Sequence, residues 1–203
     1  MSSRRPGKLF VISASSGTGK TTVAKELLKK DGNLVQSISY TTRPPRPHEK
    51  DGQDYHFVTK GEFLNTRAAG GFLEWANVFG RYYGTPKKEV EACLKAGRDV
   101  LLLIDVQGAK KVKKIRSDAV FIFLAPPSKK ELRRRLEKRG TESAVEINKR
   151  LRVATKELKV LNQIYYDKRD KDHKFLCDYC IVNRDVERTR MALEGIFHAE
   201  RNS

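Results

Sequence analysis

Ala14-Ser15-Ser16-Gly17-Thr18-Gly19-Lys20-Thr21-Thr22 decides how the rest of this chain is read. Before it stands Lys8-Leu9-Phe10-Val11-Ile12-Ser13, an apolar run of strand length. After it Val23, Leu27 and Leu28 recur on one helical face, with lysines on the other. Strand, glycine turn and helix thus follow one another directly, the context a P-loop requires. Glycines let backbone N–H groups close around phosphate oxygens, and the positive end of the helix dipole faces the same anion. Lys20 is placed to reach β- and γ-phosphates, and the Thr21 hydroxyl to ligate Mg²⁺. Ala14 stands where G-x-x-x-x-G-K-[ST] has its first glycine, a change that a methyl group can satisfy without closing the loop. Residues 14–22 are therefore expected to bind a nucleoside triphosphate.

Outward from this loop, three more apolar runs read as buried strands: Val100–Asp105, Val120–Leu124 (closed by Pro126-Pro127) and Tyr179–Val182. The continuity of Val100–Asp105 suggests cover on both sides, and helical segments separate the runs, so the expected class is α/β with a parallel sheet. A final helix is expected from about Val186 to Ala199. Asp105, ending its strand, resembles a Walker B carboxylate that faces magnesium through water, or substrate. Two stretches break the rhythm. Ser39 to about Arg98 holds proline turns, Gly52, Gly61, Gly70-Gly71, Gly80 and Gly84 with aromatic-rich pieces between, and reads as a small β-rich insertion. Ser128 to about Asn162 reads as helical and very basic. Ser128-x-x-Glu131 and Ser143-x-x-Glu146 have capping-box spacing, and Gly140 ends the first helix. Leu132 and Leu136 form one apolar stripe; Val145, Leu151, Leu158 and Leu161 form another.

The chain has 203 residues, enough for one core without disulfides or metals. No apolar run approaches the roughly 18–20 residues that span a bilayer. The basic start, Met1 to Pro6, lacks the long apolar stretch of a secretory signal, so the expected compartment is the cytoplasm. Cys93, Cys177 and Cys180 cannot all pair within the chain, and the lone C-x-x-C lacks a second ligand pair for zinc, with only His173 nearby. The net charge of +17 suits either nucleic acid or polyphosphate. Residues 129–174 alone carry 16 basic and 8 acidic side chains, a local excess of +8.

The inserted segment narrows the field. Thr41-Thr42-Arg43-Pro-Pro-Arg46-Pro-His-Glu49-Lys-Asp-Gly52-Gln-Asp-Tyr55-His-Phe57-Val58 resembles the signature of guanylate kinases. The resemblance continues in Phe72-Leu-Glu74-Trp-Ala76, Tyr82-Tyr83-Gly84-Thr85, Asp105-Val-Gln107-Gly108 and Arg139-Gly140-Thr141-Glu142, and covers about residues 9–186. It implies transfer of the γ-phosphate of ATP to GMP with Mg²⁺. It also implies that Arg43 and Arg46, with the hydroxyls of Tyr55 and Tyr83, hold the GMP phosphate. Guanine presents N1–H and N2–H donors and an O6 acceptor. Glu74, helped by Asp105, would accept from the donors, while the Ser39 and Thr85 hydroxyls address O6. Adenine lacks those donors, and a site built to hydrogen-bond can reject such a partner by up to ~10⁴-fold. Arg135, Arg139 and Arg150 fall on the family's ATP-facing arginines, and Asn183 on a residue near adenine. The sequence departs from the family pattern at Thr85 (usually Ser), at Arg184 (usually acidic) and at Leu103 (often acidic).

The implied architecture is a single domain with a P-loop core (about 1–37, 99–127 and 163–203), helices on both faces of its sheet, a GMP-binding insertion (about 38–98) and an arginine lid (about 128–162). Two rivals remain. A non-catalytic interaction module of the same fold would typically lose Lys20 and the lid arginines, which this chain keeps. A nucleic-acid-binding protein driven by charge would be indifferent to GMP. The expected partners are thus ATP and GMP, with no specific nucleic acid and no membrane.

Overall fold

The computed structural model describes residues 5–15, 17–140, 143–166 and 177–203, and the side chains of all of these except 139 and 159–166. Ser16, Thr141, Glu142, His173 and the first four residues therefore lie outside the described residues, as do the side chains of Arg139 and Leu161.

The chain opens with β1 (Leu9–Ala14), every residue of which is buried. It enters α1 (Lys20–Lys30) through Gly19, then β2 (Leu34–Gln36), β3 (Tyr40–Thr41) and β4 (His56–Phe57) follow. Next come α2 (Lys60–Ala68), the strands β5 (Phe72–Val78) and β6 (Arg81–Pro86), and α3 (Lys87–Lys95). The chain continues through β7 (Asp99–Ile104), α4 (Val106–Ile115), β8 (Val120–Ala125), α5 (Lys129–Arg139) and α6 (Ala144–Tyr166). It closes with β9 (Tyr179–Val182) and α7 (Val186–Arg201).

The central sheet is parallel throughout, in the order β2-β7-β1-β8-β9. Alternate residues of β1 serve its two faces, as strand periodicity dictates. Phe10 and Ile12 join Val23, Ala24 and Leu27 of α1 and Leu193 and Phe197 of α7. Leu9 and Val11 join Val90 and Leu94 of α3 and Ala109 and Val112 of α4. Helices thus cover both faces, which is why the strands read as unbroken apolar runs. Phe10 and Phe197 stack with centroids 3.9 Å apart, fixing α7 on the sheet. Phe121 and Phe123 are buried as expected of core aromatics.

A second sheet, ordered β4-β3-β6-β5, fills the segment read as β-rich. Its aromatics form a small core of their own: Phe63 of α2 stacks on Phe72 (4.5 Å) and on Tyr82 (5.3 Å). α2 begins with a full capping box between Thr59 and Glu62. The short strand β2 has no counterpart among the expected strands; it pairs only at the edge of the sheet, beside β7.

The basic stretch forms the two helices α5 and α6, joined through Leu132, Leu136, Ile147, Leu151 and Ala154. Val145 is a correction to the expected stripe. It is 77% exposed, because a residue six before Leu151 lies about 240° around the helix from it, whereas Ile147, four before, shares its face and meets α5. Leu158 packs beside Phe123 and Ala125 of the core. Gly140 ends α5 at φ 66°, a left-handed conformation that favours glycine. The box at Ser143–Glu146 is complete, with Glu146 accepting from the Ser143 amide at 2.8 Å. At Ser128 only half of it forms: the serine hydroxyl accepts from the Glu131 amide, but the Glu131 carboxylate is drawn to Arg134 and Arg135.

Two ends of the chain are tied at the N-terminal edge of β7. The fully buried Asp99 accepts from Nη1 and Nη2 of Arg5, the Lys8 amide and Arg201 Nε. Burial alone would raise its carboxyl pKa; these donors outweigh it and hold the group below the usual range. No helix among the described residues is long and apolar enough to cross a membrane.

Candidate active site

The P-loop follows from how β1 ends. Its last residue, Ala14, is buried, and the chain turns through Gly17 and Gly19 at φ 86° and 94° into α1. Gly19 is demanded twice over, since a Cβ there would come within 2.8 Å of Asn183 Nδ2. α1 has no side-chain cap and no acid in its first turn. Its free N–H groups and dipole are left facing the loop, an arrangement suited to phosphate.

Lys20 donates to the Ile104 carbonyl at 2.5 Å, at the end of β7. Burial pulls its ammonium pKa down to about 8, although Asp105, Glu157 and Glu74 partly offset this. The cation is thus poorly solvated, and arriving phosphate oxygens would stabilise its charge.

An open cleft of about 1360 Å³ runs from this loop to the second sheet. Ala14, Ser15, Gly17, Thr18, Gly19, Lys20, Thr21 and Thr22 line one end. Ser39, Arg43, Arg46, Tyr55, Glu74 and Tyr83 line the other, with Asp105 also on its wall. Arg135 of α5, Arg150 of α6 and Asn183 after β9 also line the cleft. Of the expected site residues, Ser16 and the Arg139 side chain lie outside the described ones. Thr85 is fully buried behind Glu74.

At the far end Glu74 points its carboxylate inward from β5, 6% exposed. The Thr85 hydroxyl donates to Glu74 Oε1 at 2.7 Å, so here its proton orients the acid. Burial raises the Glu74 pKa to about 7; the Thr85 hydrogen bond opposes this and Asp105 adds to it. Gly108 sits against the same carboxylate, where a Cβ would be 2.8 Å from Oε2. Asp105 caps α4, accepting from the Gly108 amide at 2.8 Å, and this draws the start of α4 up to Glu74. Arg43 and Arg46 are braced by Glu49, which accepts from Arg43 Nη2 at 2.9 and 2.8 Å and from the Arg46 amide at 2.8 Å. Burial pulls the Glu49 carboxyl upward, but the Arg46 amide and the Arg43 guanidinium prevail and hold it below its ordinary value. Arg43 Nε is buried without a partner, a donor left over at the cleft. Tyr55 and Tyr83 rings meet edge-on at 6.0 Å beside these arginines.

α5 and the residue after β9 are tied to the P-loop. Arg135 donates to the carbonyls of Thr18 (2.9 Å) and Asn183 (3.2 Å) and pairs with Glu131. The Asn183 amide donates to Thr18 O at 2.7 Å and accepts from Thr189 at 3.0 Å, so its side chain supports the loop. Leu132 and Leu136 of α5 lie against Gly17.

Sequence reading missed Glu49 as a brace and Glu157 altogether. Glu157 lies on α6 and accepts from the Ser15 hydroxyl. Burial raises its pKa, with Asp105 adding to the effect. The signal that could have found it was its spacing, two helical turns after Arg150 and so on the same helix face. The three cysteines are free and half-buried. Burial pushes the Cys177 thiol up to about 12, which makes it a poor nucleophile. Among the described residues no group of three or more His, Cys, Asp or Glu side chains is arranged to hold a metal.

The geometry agrees with the chain's relatives. The family profile described as guanylate kinase matches residues 6–200. The guanylate kinase of Thermotoga maritima is 46% identical over 195 residues, covering 96% of this chain and 88% of that protein. That of Clostridioides difficile is 43% identical over 198 residues, covering 98% and 90%. The crystal structure of guanylate kinase from Anaplasma phagocytophilum superimposes with a TM-score of 0.76 at 37% identity, covering 97% of this chain and 87% of that one. With a P-loop at one end of its cleft, a buried carboxylate at the other and this likeness along nearly its whole length, the chain belongs to the guanylate kinase family.

Proposed function

We propose that the chain transfers the γ-phosphate of ATP to GMP, giving ADP and GDP. The observation that carries this reading is a continuous cleft that has the uncapped N-terminus of α1 at one end and the buried Glu74 at the other. ATP binds through residues 14–22, its phosphates meeting the loop amides and Lys20. GMP binds with guanine against Glu74 and its phosphate between Arg43, Arg46, Tyr55 and Tyr83. Ser39, Asp105 and Thr85 complete the guanine end, Thr85 by aiming the acid. Neither end does covalent chemistry. Catalysis is alignment of the two phosphates and neutralisation of charge as the phosphoryl group moves between oxygens, the work of Lys20, Arg43, Arg135, Arg139 and Arg150.

Mg²⁺ fits the residues present. The Thr21 hydroxyl and the Asp105 carboxylate are hard oxygen donors at the cleft, and Mg²⁺ commonly keeps its waters and takes few protein ligands. Thr21 would hold it, with Asp105 through water, and it would draw charge from the β- and γ-phosphates. The working parts are the core, the insertion at about 38–98 and the lid at about 128–162. Three free cysteines suit a reducing, cytoplasmic setting.

The test is coupled ADP release from ATP and Mg²⁺ with GMP, AMP, CMP or UMP in parallel. Turnover with GMP far above the rest is expected. No turnover with any, in a folded sample that still binds GMP, would favour a non-catalytic module. Binding that is indifferent to GMP but falls steeply with salt would favour a nucleic-acid partner.

A further inference from the structure

The hairpin joining β5 to β6 carries a residue its turn does not favour. Val78 pairs with Arg81, so Phe79 and Gly80 form a two-residue loop. Both have positive φ, 52° and 82°, the signature of a type I′ turn. That turn favours Asn-Gly, and an aromatic residue at positive φ is strained. The turn is otherwise well made, with Asn77 Oδ1 accepting from the Gly80 amide at 2.9 Å. Strain of this kind at a cleft points to a task for the side chain. The Phe79 ring is still 37% exposed, so burial is not that task. It reaches the lid instead. Arg150 Cζ lies 5.0 Å and Lys149 Nζ 5.1 Å from its centroid, both within cation–π range.

We propose that Phe79 is a positioning residue for phosphoryl transfer, holding Arg150 of the lid over the cleft from the tip of the hairpin that bears Glu74 and Tyr83. The same two strands that read guanine and phosphate end in the ring that meets the lid. The hairpin that would seat GMP thus also bears the ring on which Arg150 rests, which joins the acceptor side of the cleft to the donor side. The inference rests on the reading of Arg150 as an arginine of the transfer site.

The decisive variant is Phe79→Asn, which suits the turn better and removes the ring. If the ring were there for stability, this change would not separate folding from turnover. We expect a midpoint of thermal unfolding at or above that of the parent and a GMP dissociation constant within twofold of it. The expected fall in kcat is about 5–30-fold, the range for the single cation–π contact to Arg150 at a site between fully exposed and desolvated. Phe79→Tyr should restore kcat to within twofold. On an Arg150→Ala background Phe79→Asn should lower kcat by less than twofold, because its target is already gone. Phe79→Asn with parental kcat, or with the same loss on both backgrounds, would overturn the proposal alone. Arg150→Ala with parental kcat would overturn the reading of Arg150, and the proposal with it.

Discussion

Glu74 should give up a proton when GMP binds. In the free protein burial holds its pKa near 7, against an ordinary 4.5. Guanine's two N–H donors favour the ionised form, so the bound state carries a carboxylate. With a free pKa near 7 and full ionisation when bound, release is about 0.9 proton at pH 6, about 0.5 at pH 7 and about 0.1 at pH 8. Calorimetric titration with GMP in buffers of different ionisation heat reads this number directly. Glu74→Gln is the control, because the nucleotide phosphate and the arginines contribute equally to both proteins. The same substitution replaces two charge-assisted hydrogen bonds by one neutral bond and one donor facing a donor. A loss of about 3–4 kcal/mol follows, or 10²–10³-fold in the GMP dissociation constant. Folding should respond in the opposite direction. A carboxyl whose pKa is raised on folding binds more protons in the native state between pH 4.5 and 7, so stability falls as pH rises through that window. At pH 8 the ionised, buried Glu74 costs about 3 kcal/mol, and Glu74→Gln, which the Thr85 hydroxyl still serves, should unfold no earlier than the parent. A Glu74→Gln protein that binds GMP within threefold of the parent, or a parent that releases no more protons than that variant at pH 7, would refute this account.

Three further outcomes are expected. Asp99→Asn removes the charge that ties Arg5 and Arg201 together, at the end of β7 remote from Asp105, and should cost about 2 kcal/mol in urea unfolding with turnover unchanged at 25 °C. Because the folded Asp99 pKa lies below its ordinary 3.8, this stabilisation is present above about pH 4 and lost below it in the parent, which an acid titration of stability checks. Glu49→Gln weakens the brace under Arg43 and Arg46, leaving two guanidiniums to repel each other, and should raise KM for GMP about tenfold while kcat changes by less than threefold.

The fold is legible where the local signal is strong. β1, β7, β8 and β9 are apolar runs because both sheet faces are covered, and Gly17, Gly19 and Gly140 mark turns whose φ values are positive. β2 is not legible, because an edge strand of three residues has too little pattern to read. Val145 is apolar but lies off the face that Ile147, Leu151 and Ala154 share, because only residues three, four or seven apart meet on one side of a helix. At the site, residue identity carries a great deal. A P-loop between strand and helix specifies phosphate chemistry through backbone amides that do not depend on distant contacts.

The order of amino acids alone therefore specifies the set of chemical groups and the elements that bear them: a phosphate loop, paired arginines, an acid in the β-rich insertion and a basic helical pair. What each group does with its neighbours emerges only in the folded protein. Thr85, read as facing the base, has its proton on Glu74; Asn183 supports Thr18; Glu49 braces Arg43; and Glu157 meets Ser15 across 142 residues of chain. The physical reason is that a hydrogen bond or a desolvation cost depends on a few ångströms of separation. Sequence periodicity assigns a side chain to a face, but those distances arise only when separate elements pack together.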